Sequence, residues 1–340
     1  MQQIDSGKYL QKDKPLWNWL VIVYISLGYC AGVALLIQAS IGSNLLGIIL
    51  VTHTLILSAY MAHEFVHGTV FRSMKFNLLA GEAVQWLNGT CYCSFHNMSR
   101  LHIAHHVQKT DFVDYDLPNL LHSFPHLVRQ LILILEWLCF PALFFLLQWR
   151  AITAPYWNKD RHSERLRVTV TLLLRGGMFT CLGWNSPKAL FGYFFCFTTM
   201  VTVIRLIDAF QHTYKLTPTG KTVIKRDLDY EQSNTFSILF TEQCRWVNLL
   251  ILNFGYHNAH HALMKCPWYS LPKLHEDLSQ HQKVFSIDTK KLLTFYHRHR
   301  IKRIFLGEGK VKSDQSELDM SEFFGILGGT AILLPARLID

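Results

Sequence analysis

The chain has 340 residues, of which 50% are hydrophobic and only 17% charged. Soluble domains carry about a quarter charged residues, so this deficit, gathered in long apolar runs, excludes an ordinary soluble protein and points to a polytopic membrane protein. The net charge of +9 reads as cytoplasmic loops facing anionic lipid, and no zinc-finger or RNA-binding pattern suggests a nucleic-acid partner.

Residues 1–16 form a polar lead with Lys8, Lys12 and Lys14. The apolar run that follows is longer than the roughly 7–15 residues of a signal-peptide core and reads as an uncleaved span over 17–39. A second span, 44–62, runs straight into His63. With the N-terminus inside, two crossings return the chain to the cytoplasm there. Residues 78–95 are broken by Gly81, Glu82 and Asn88, which predicts a helix at the interface or packed beneath it. Acidic residues Asp111, Asp114 and Asp116 lie further on.

Three apolar runs come next, at 127–149, 168–183 and 187–206. Arg150, Lys159, Arg161, Arg165 and Arg167 cluster after the first of them, and the positive-inside rule holds that cluster in the cytoplasm. The run 127–149 is therefore expected to be re-entrant or interfacial, bent at Pro141. The other two make a crossing hairpin that turns at Asn185-Ser186-Pro187. Arg175 within that hairpin costs roughly 2.5–3.5 kcal/mol at mid-helix, so it is expected to snorkel or pair. Lys215 to Arg245 is polar, 246–255 is too short to span, and 265–300 has helical spacing of charged residues. The expectation is an all-α integral membrane protein with one domain over 1–320. A tail at 321–340 either docks on the body or lies disordered. The eight cysteines contain no C-x-x-C, and neither a disulfide nor a cysteine metal site is expected.

The chemistry lies in three histidine boxes: His63-Glu64-Phe65-Val66-His67, His102-Ile103-Ala104-His105-His106 and His257-Asn258-Ala259-His260-His261. On a helix, positions i and i+4 share a face and i+3 lies beside them. Three such faces would converge on an all-nitrogen pocket, at the cytoplasmic ends of the spans by this topology. Imidazole suits iron, copper, nickel and zinc, and a structural zinc needs only four ligands. Eight imidazoles are too many for one ion, so two ions are expected, most simply an oxygen-activating iron pair. Asp208-Ala209-Phe210-Gln211-His212 adds a ninth imidazole, with Asp208 four residues before it and expected on the same face. Asp208 could ligate a metal, bind a coordinated water or orient a neighbouring His. Glu64 makes the first box read H-E-x-x-H, the zinc-protease signature, in which Glu64 would be the general base. The H-x-x-H-H boxes have no task in a simple protease, which leaves Glu64 as an acceptor for a ligand imidazole or a solvated helix residue. Among the other histidines, His122 and His126 are read as non-ligands, His53 as an intramembrane His that is either functional or simply buried, and His275 as the one to watch.

With these boxes in this order, residues 17–280 resemble the membrane fatty acid desaturase and hydroxylase superfamily. Gly68 after the first box, the acidic stretch from Thr110-Asp111 after the second, and Pro267-Trp268-Tyr269-Ser270-Leu271 after the third add to the resemblance. It implies four transmembrane helices capped by a cytosolic helical domain that holds two irons. The ligands carried over are His63, His67, His102, His105, His106, His257, His260 and His261, with His212 matching an additional family His. In the acyl-CoA branch an Asn stands four residues before that His, where this chain has Asp208. The resemblance implies an O2-dependent oxidoreductase acting on an unactivated C–H of a fatty acyl or lipid chain. A desaturase comes first, with a sibling hydroxylase, ketolase or acetylenase as the alternative. No H-P-G-G motif of a fused cytochrome b5 occurs. Electrons are therefore expected from a separate donor of ferredoxin, rubredoxin or cytochrome b5 type.

Overall fold

The computed structural model describes residues 6–10, 15–113, 115–221, 223–241, 243–281, 283–313 and 318–327. Asp114 therefore lies outside the described residues. Helices α1 (Pro15–Ile37) and α2 (Ile41–His67) form the first hairpin. Ser40 caps α2 by accepting from the Ser43 N–H. Asn44 Nδ2 donates to the carbonyls of Leu35, Leu36 and Gln38 at 2.9, 3.1 and 2.9 Å. Those carbonyls are acceptors that the end of α1 would otherwise leave orphaned. A Cβ on Gly47 would stand 2.9 Å from the Gly32 carbonyl oxygen, so the two backbones meet through small residues, as membrane helices often do.

α1 leaves Leu16, Trp17, Trp19, Leu20, Val23 and Leu27 exposed, an apolar surface suited to lipid. α2 is the opposite. Every residue from Thr54 to His67 is buried, so the first box sits on the deepest part of the most enclosed helix. Gly68 ends it in the left-handed region at φ 68.

The chain then folds back along α2 as α3 (Met74–Asn88) and returns as α4 (Phe95–Gln108), which carries the second box. Gly81 lets them meet, because a Cβ there would stand 2.2 Å from the buried Phe95 ring. Glu82 Oε2 accepts from the Phe95 N–H at 2.9 Å and its other oxygen pairs with Arg167. Arg167 also donates to the carbonyls of Cys91 and Cys93 at 2.9 and 3.1 Å. Short strand β1 (Asp111–Val113) and helix α5 (Leu117–His122) follow.

The run 127–149 is split into α6 (His126–Trp137) and α7 (Ala142–Trp157), bent by 119°. Such a bend marks a re-entrant or broken segment rather than one straight crossing. The break has a cause besides Pro141. Glu136 is fully buried, and its Oε1 accepts from the Leu143 N–H at 2.8 Å, holding the start of α7 against the end of α6. The same carboxylate forms a two-point pair with Arg205, 3.2 Å on each arm. α6 leaves Leu127, Leu131, Ile134 and Leu138 exposed on one side, a face suited to the membrane surface.

Helices α8 (Arg165–Asn185) and α9 (Pro187–Asp208) make the second hairpin. Ser186 caps α9, accepting from the Ala189 N–H at 3.2 Å, with Pro187 at the first helical position. Arg175 pairs rather than snorkels: it is 7% exposed, donates to the Trp86 carbonyl at 2.6 Å and stacks on Phe179. Four helices among the described residues are long and apolar enough to cross a membrane.

The rest is a mostly helical cap. It contains β2 (Leu216–Pro218), parallel to β1, and β3 (Ser237–Leu239), parallel to β4 (Ser286–Asp288). Around them lie α10 (Leu228–Ser233), α11 (His257–Ala262), α12 (Leu271–His281), α13 (Thr289–Arg298) and α14 (Lys302–Leu306). Apart from these strands and a further antiparallel pair, β5 (Lys312–Ser313) and β6 (Leu318–Asp319), the regular structure of the described residues is helical. The first residues of the tail dock on the body: Phe323 is fully buried against Phe210 and Phe236, and the Ile326 N–H donates to the Ala209 carbonyl at 2.6 Å. Residues 328–340 lie outside the described residues.

Gly81→Ala is expected to destabilise the protein by about 1–3 kcal/mol, the usual cost of overpacking a filled core. Thermal unfolding in detergent checks this. A midpoint equal to that of the unaltered protein would mean that Phe95 has room to move.

Candidate metal centre

Three elements and one loop deliver the imidazoles. His63 and His67 project from the last turns of α2, His102, His105 and His106 from α4, and His257, His260 and His261 from the short helix α11. His212 arrives differently. α9 ends at Asp208, so the expected shared helical face of Asp208 and His212 does not exist. His212 instead lies on an extended stretch bridged to Thr235. All nine imidazoles are buried.

They fall into two main groups, which adjoin where His106 and His261 form a further set with Glu231. Donor atoms of His63, His67, His102, His106 and His260 all lie within 4.8 Å of one another, as do those of His105, His212 and His261. His257 joins the second group, its Nε2 2.8 Å from His212 Nε2. In the first group, Nε2 atoms stand 3.2 Å apart for His63 and His67, 3.1 Å for His67 and His102, 3.0 Å for His102 and His106, and 3.1 Å for His106 and His260. Adjacent nitrogens bound at about 2.1 Å to one ion in square or octahedral arrangement sit about 3.0 Å apart.

The tautomers agree with a cation. A backbone carbonyl can only accept, so His105 Nδ1 must carry its proton to the Thr110 oxygen at 2.9 Å, which leaves Nε2 as a bare lone pair. His261 is fixed the same way, its Nδ1 2.9 Å from Glu231 Oε1, and its Nε2 is buried with no hydrogen-bond partner. Lone pairs packed together without water need a positive charge between them, and the residues present fit metal ions.

Ligand imidazoles must be neutral, and outside the spanning helices every one of them but His105 is shifted toward that form. Burial and then neighbouring imidazoles push His102, His106, His212, His257 and His261 well below the ordinary value, and His260 down to about 3. For His105, burial pushes down, but the hydrogen bond and charge of Asp111, with Oδ1 3.2 Å from its Nδ1, outweigh it and the net direction is up.

Glu64 is not among the converging donors. Its Oε2 accepts from Thr69 Oγ1 at 2.7 Å and from the Trp268 N–H at 3.1 Å, tying the end of α2 to the segment after the third box. Its Oε1 is 3.6 Å from His63 Nδ1, beyond hydrogen-bonding range. A carboxylate engaged in this way is badly placed as a protease base. Asp208 is part-buried and also stands outside both groups of donor atoms. His275 lies against Tyr256, and His122 accepts from Arg129, so neither reaches the groups. His53 bridges Tyr24 and the Leu250 carbonyl. Sequence reasoning missed Glu231, which lies in a polar stretch with no box spacing to mark it. It also passed over Lys109, 3.5 Å from Glu231 Oε2.

Four helices fit to span a membrane, and nine imidazoles gathered in buried groups around the end of one of them, define a multi-pass membrane protein with a site suited to metal. Residues 39–285 match the family described as fatty acid desaturase, and the chain belongs to that family. It is therefore an oxidoreductase of desaturase or hydroxylase type acting on lipid. No curated protein matches the chain.

Two outcomes test the site. Glu231→Gln should weaken metal binding about 10- to 100-fold by loosening His261, read by competition with a chelator. In metal-free protein His102, His106, His212, His257, His260 and His261 have folded values below the unfolded value of about 6.5, so at these six the unfolded state takes up more protons as pH falls, while His105, shifted up, works against them. Stability is then full above pH about 6.5 and is lost as pH drops toward about 3, with a shallower loss in His260→Gln. Unfolding midpoints that ignore pH across that window would contradict it.

Proposed function

We propose that this chain is an O2-dependent diiron oxidoreductase that removes hydrogen from an unactivated C–H of a fatty acyl or lipid chain, a desaturase. One observation carries the reading: the imidazoles divide into a group of five and a group of four, each enough for one ion with a position left for reaction. His63, His67, His102, His106 and His260 would hold one iron, and His105, His212, His257 and His261 the other. The irons, when bound, supply oxygen activation and the power to break a C–H bond.

The chain's own residues do the rest. Glu231 and Asp111 keep His261 and His105 in the tautomer that turns Nε2 inward. Tyr60 and Phe254 pack at 4.5 Å, and Phe254 meets the His63 ring at 4.9 Å, giving the first group an apolar neighbour that excludes water and suits an alkyl chain. Asp208 acts beside the second group rather than as a ligand. The sibling hydroxylase reading keeps one observation in its favour, the carboxylate of Asp208 where the resembling acyl-CoA branch has Asn. Residues 1–320 act as one domain, because no box can build either group alone. Lys159, Arg161, Arg165 and Arg167 near the start of α8 support a cytoplasmic position for the N-terminus and the metal site. Electrons would come from a separate ferredoxin, rubredoxin or cytochrome b5.

Lipid profiling in a host with a compatible donor tests the reaction. Expression should add a double bond to host acyl chains, and the His260→Ala, His261→Ala double variant should abolish it. A hydroxylated or oxo product instead would move the assignment to the sibling activity, and profiles identical to the variant's would remove the enzyme claim.

A further inference from the structure

Eight of the nine imidazoles stand on helices, whose backbone hydrogen bonds fix where the rings point. His212 alone stands in a loop, four residues past the end of α9, so its position depends on what grips residues 209–212 from outside. One grip comes from the stretch before β3. The Phe236 N–H donates to the Gln211 carbonyl at 2.8 Å, the Thr213 N–H donates to the Asn234 carbonyl at 3.0 Å, and His212 is bridged to Thr235. The other grip comes from residues 320–326, which lie outside the stretch 39–285 that matches the family.

This second grip is made of three contacts. The Ile326 N–H donates to the Ala209 carbonyl at 2.6 Å. The last carbonyls of a helix have no partner within it, and Ala209 is buried, so without Ile326 this oxygen would be an orphaned acceptor. Gly325 passes so close that a Cβ on it would stand 2.6 Å from the same oxygen and 3.1 Å from the Phe210 ring, and its φ of +80 is one that glycine adopts freely. Phe323, fully buried, meets the Phe210 ring edge-on at 5.1 Å and the Phe236 ring at 5.5 Å, joining the loop to the stretch that bridges His212. The segment has its own anchorage. The Phe324 and Gly325 N–H groups donate to the Glu308 carbonyl at 2.8 and 3.1 Å, and the Lys310 N–H donates to the Glu322 carbonyl at 2.9 Å.

We propose that residues 320–326 are a strap that positions His212, with Phe323 and Gly325 as positioning residues, so that an ion held by the second group depends on the strap and an ion held by the first does not. The inference rests on the two-ion reading above. His63, His67, His102, His106 and His260 all stand on α2, α4 and α11, whereas the second group closes only when the loop brings His212 Nε2 to its place 2.8 Å from His257 Nε2. A ligand must be held to about 0.5 Å to serve, and a loop released from the strap loses that precision. Coupling of this kind is reciprocal: if the strap strengthens binding by the second group, an ion there stabilises the strap by the same factor.

The test uses the purified full chain in detergent with Fe(II) added anaerobically, and needs no turnover. Hydrogen exchange reads the strap: peptides carrying the Ile326 and Phe236 amides should exchange about tenfold more slowly once Fe(II) is bound. That protection should persist in His67→Gln, which loses a donor of the first group only, and vanish in His212→Gln. In titrations, Phe323→Ala and Gly325→Ala should weaken one of two ions about tenfold and leave the other within about twofold, with Phe323→Leu restoring most of the loss. Leu121→Ala, in a separate cluster with Leu143 and Ile304, controls for lost stability and should leave both affinities unchanged. The strap is overturned if its exchange ignores Fe(II), if His67→Gln abolishes the protection, if both ions weaken alike, or if Leu121→Ala reproduces the loss. Should the strap variants fail to fold, the exchange measurements decide. Two ions bound with strap exchange untouched sink the strap alone. One ion in place of two sinks the two-ion reading, and the strap survives it only if that ion still protects Ile326 and Phe236 together.

Discussion

Nine imidazoles are packed where water cannot reach them, with ring nitrogens about 3 Å apart, and the rest of the structure answers to that constraint. A neutral imidazole has one N–H and one lone pair. Once Thr110 and Glu231 have taken the outward protons of His105 and His261, the inward lone pairs have nothing to accept. Such a cluster is unfavourable until a cation enters it, so the protein must supply enough rigidity to hold the nitrogens together beforehand. α2 does so by burial on all sides over its last turns, and α4 by being fastened through its first residue to Glu82.

The fastening comes from charged side chains on α8 and α6. Arg167 and Arg175 on α8 bind carbonyls at the turn between α3 and α4, which sets where the second box sits relative to the first. Glu136 performs the equivalent service on the other side. It holds the bent pair α6 and α7, takes Arg205 of α9 and accepts Arg300 of the cap through its carbonyl, so the bent pair, a spanning helix and the cap meet at one buried residue. Apolar packing alone has little directional preference in lipid; buried hydrogen-bonded charges of this kind set register.

Much of this was legible in the sequence because it depends on period and hydropathy. The boxes announce themselves by helical spacing, the spans by apolar length, and the bend by Pro141 and the positive cluster beyond it. What was not legible depends on contacts between distant segments. Asp208 and His212 look like a helical pair, yet α9 stops at Asp208 and His212 reaches the site through its bridge to Thr235. Glu231 has no periodic signal, since its importance lies wholly in meeting His261 from 30 residues away. Glu64 has the opposite problem. A recognisable motif marks it, but its carboxylate accepts from Thr69 and the Trp268 N–H and is not among the converging donor atoms.

The H-x-x-H-H spacing is itself a two-group device. On α4, the i and i+4 positions His102 and His106 serve the first group, and His105 at i+3 turns to the second. On α11 the division is reversed: His257 and His261 at i and i+4 serve the second group, and His260 at i+3 turns to the first. Each helix thus presents one face to each group, separated by the roughly 100° between i+3 and i+4 around a 3.6-residue turn. The two groups consequently share both helices, and no displacement of α4 or α11 can disturb one without the other. His63 and His67 on α2 complete the first group only, and His212 the second only. That asymmetry leaves the first group tied to the membrane hairpin, while the second hangs from the loop after α9.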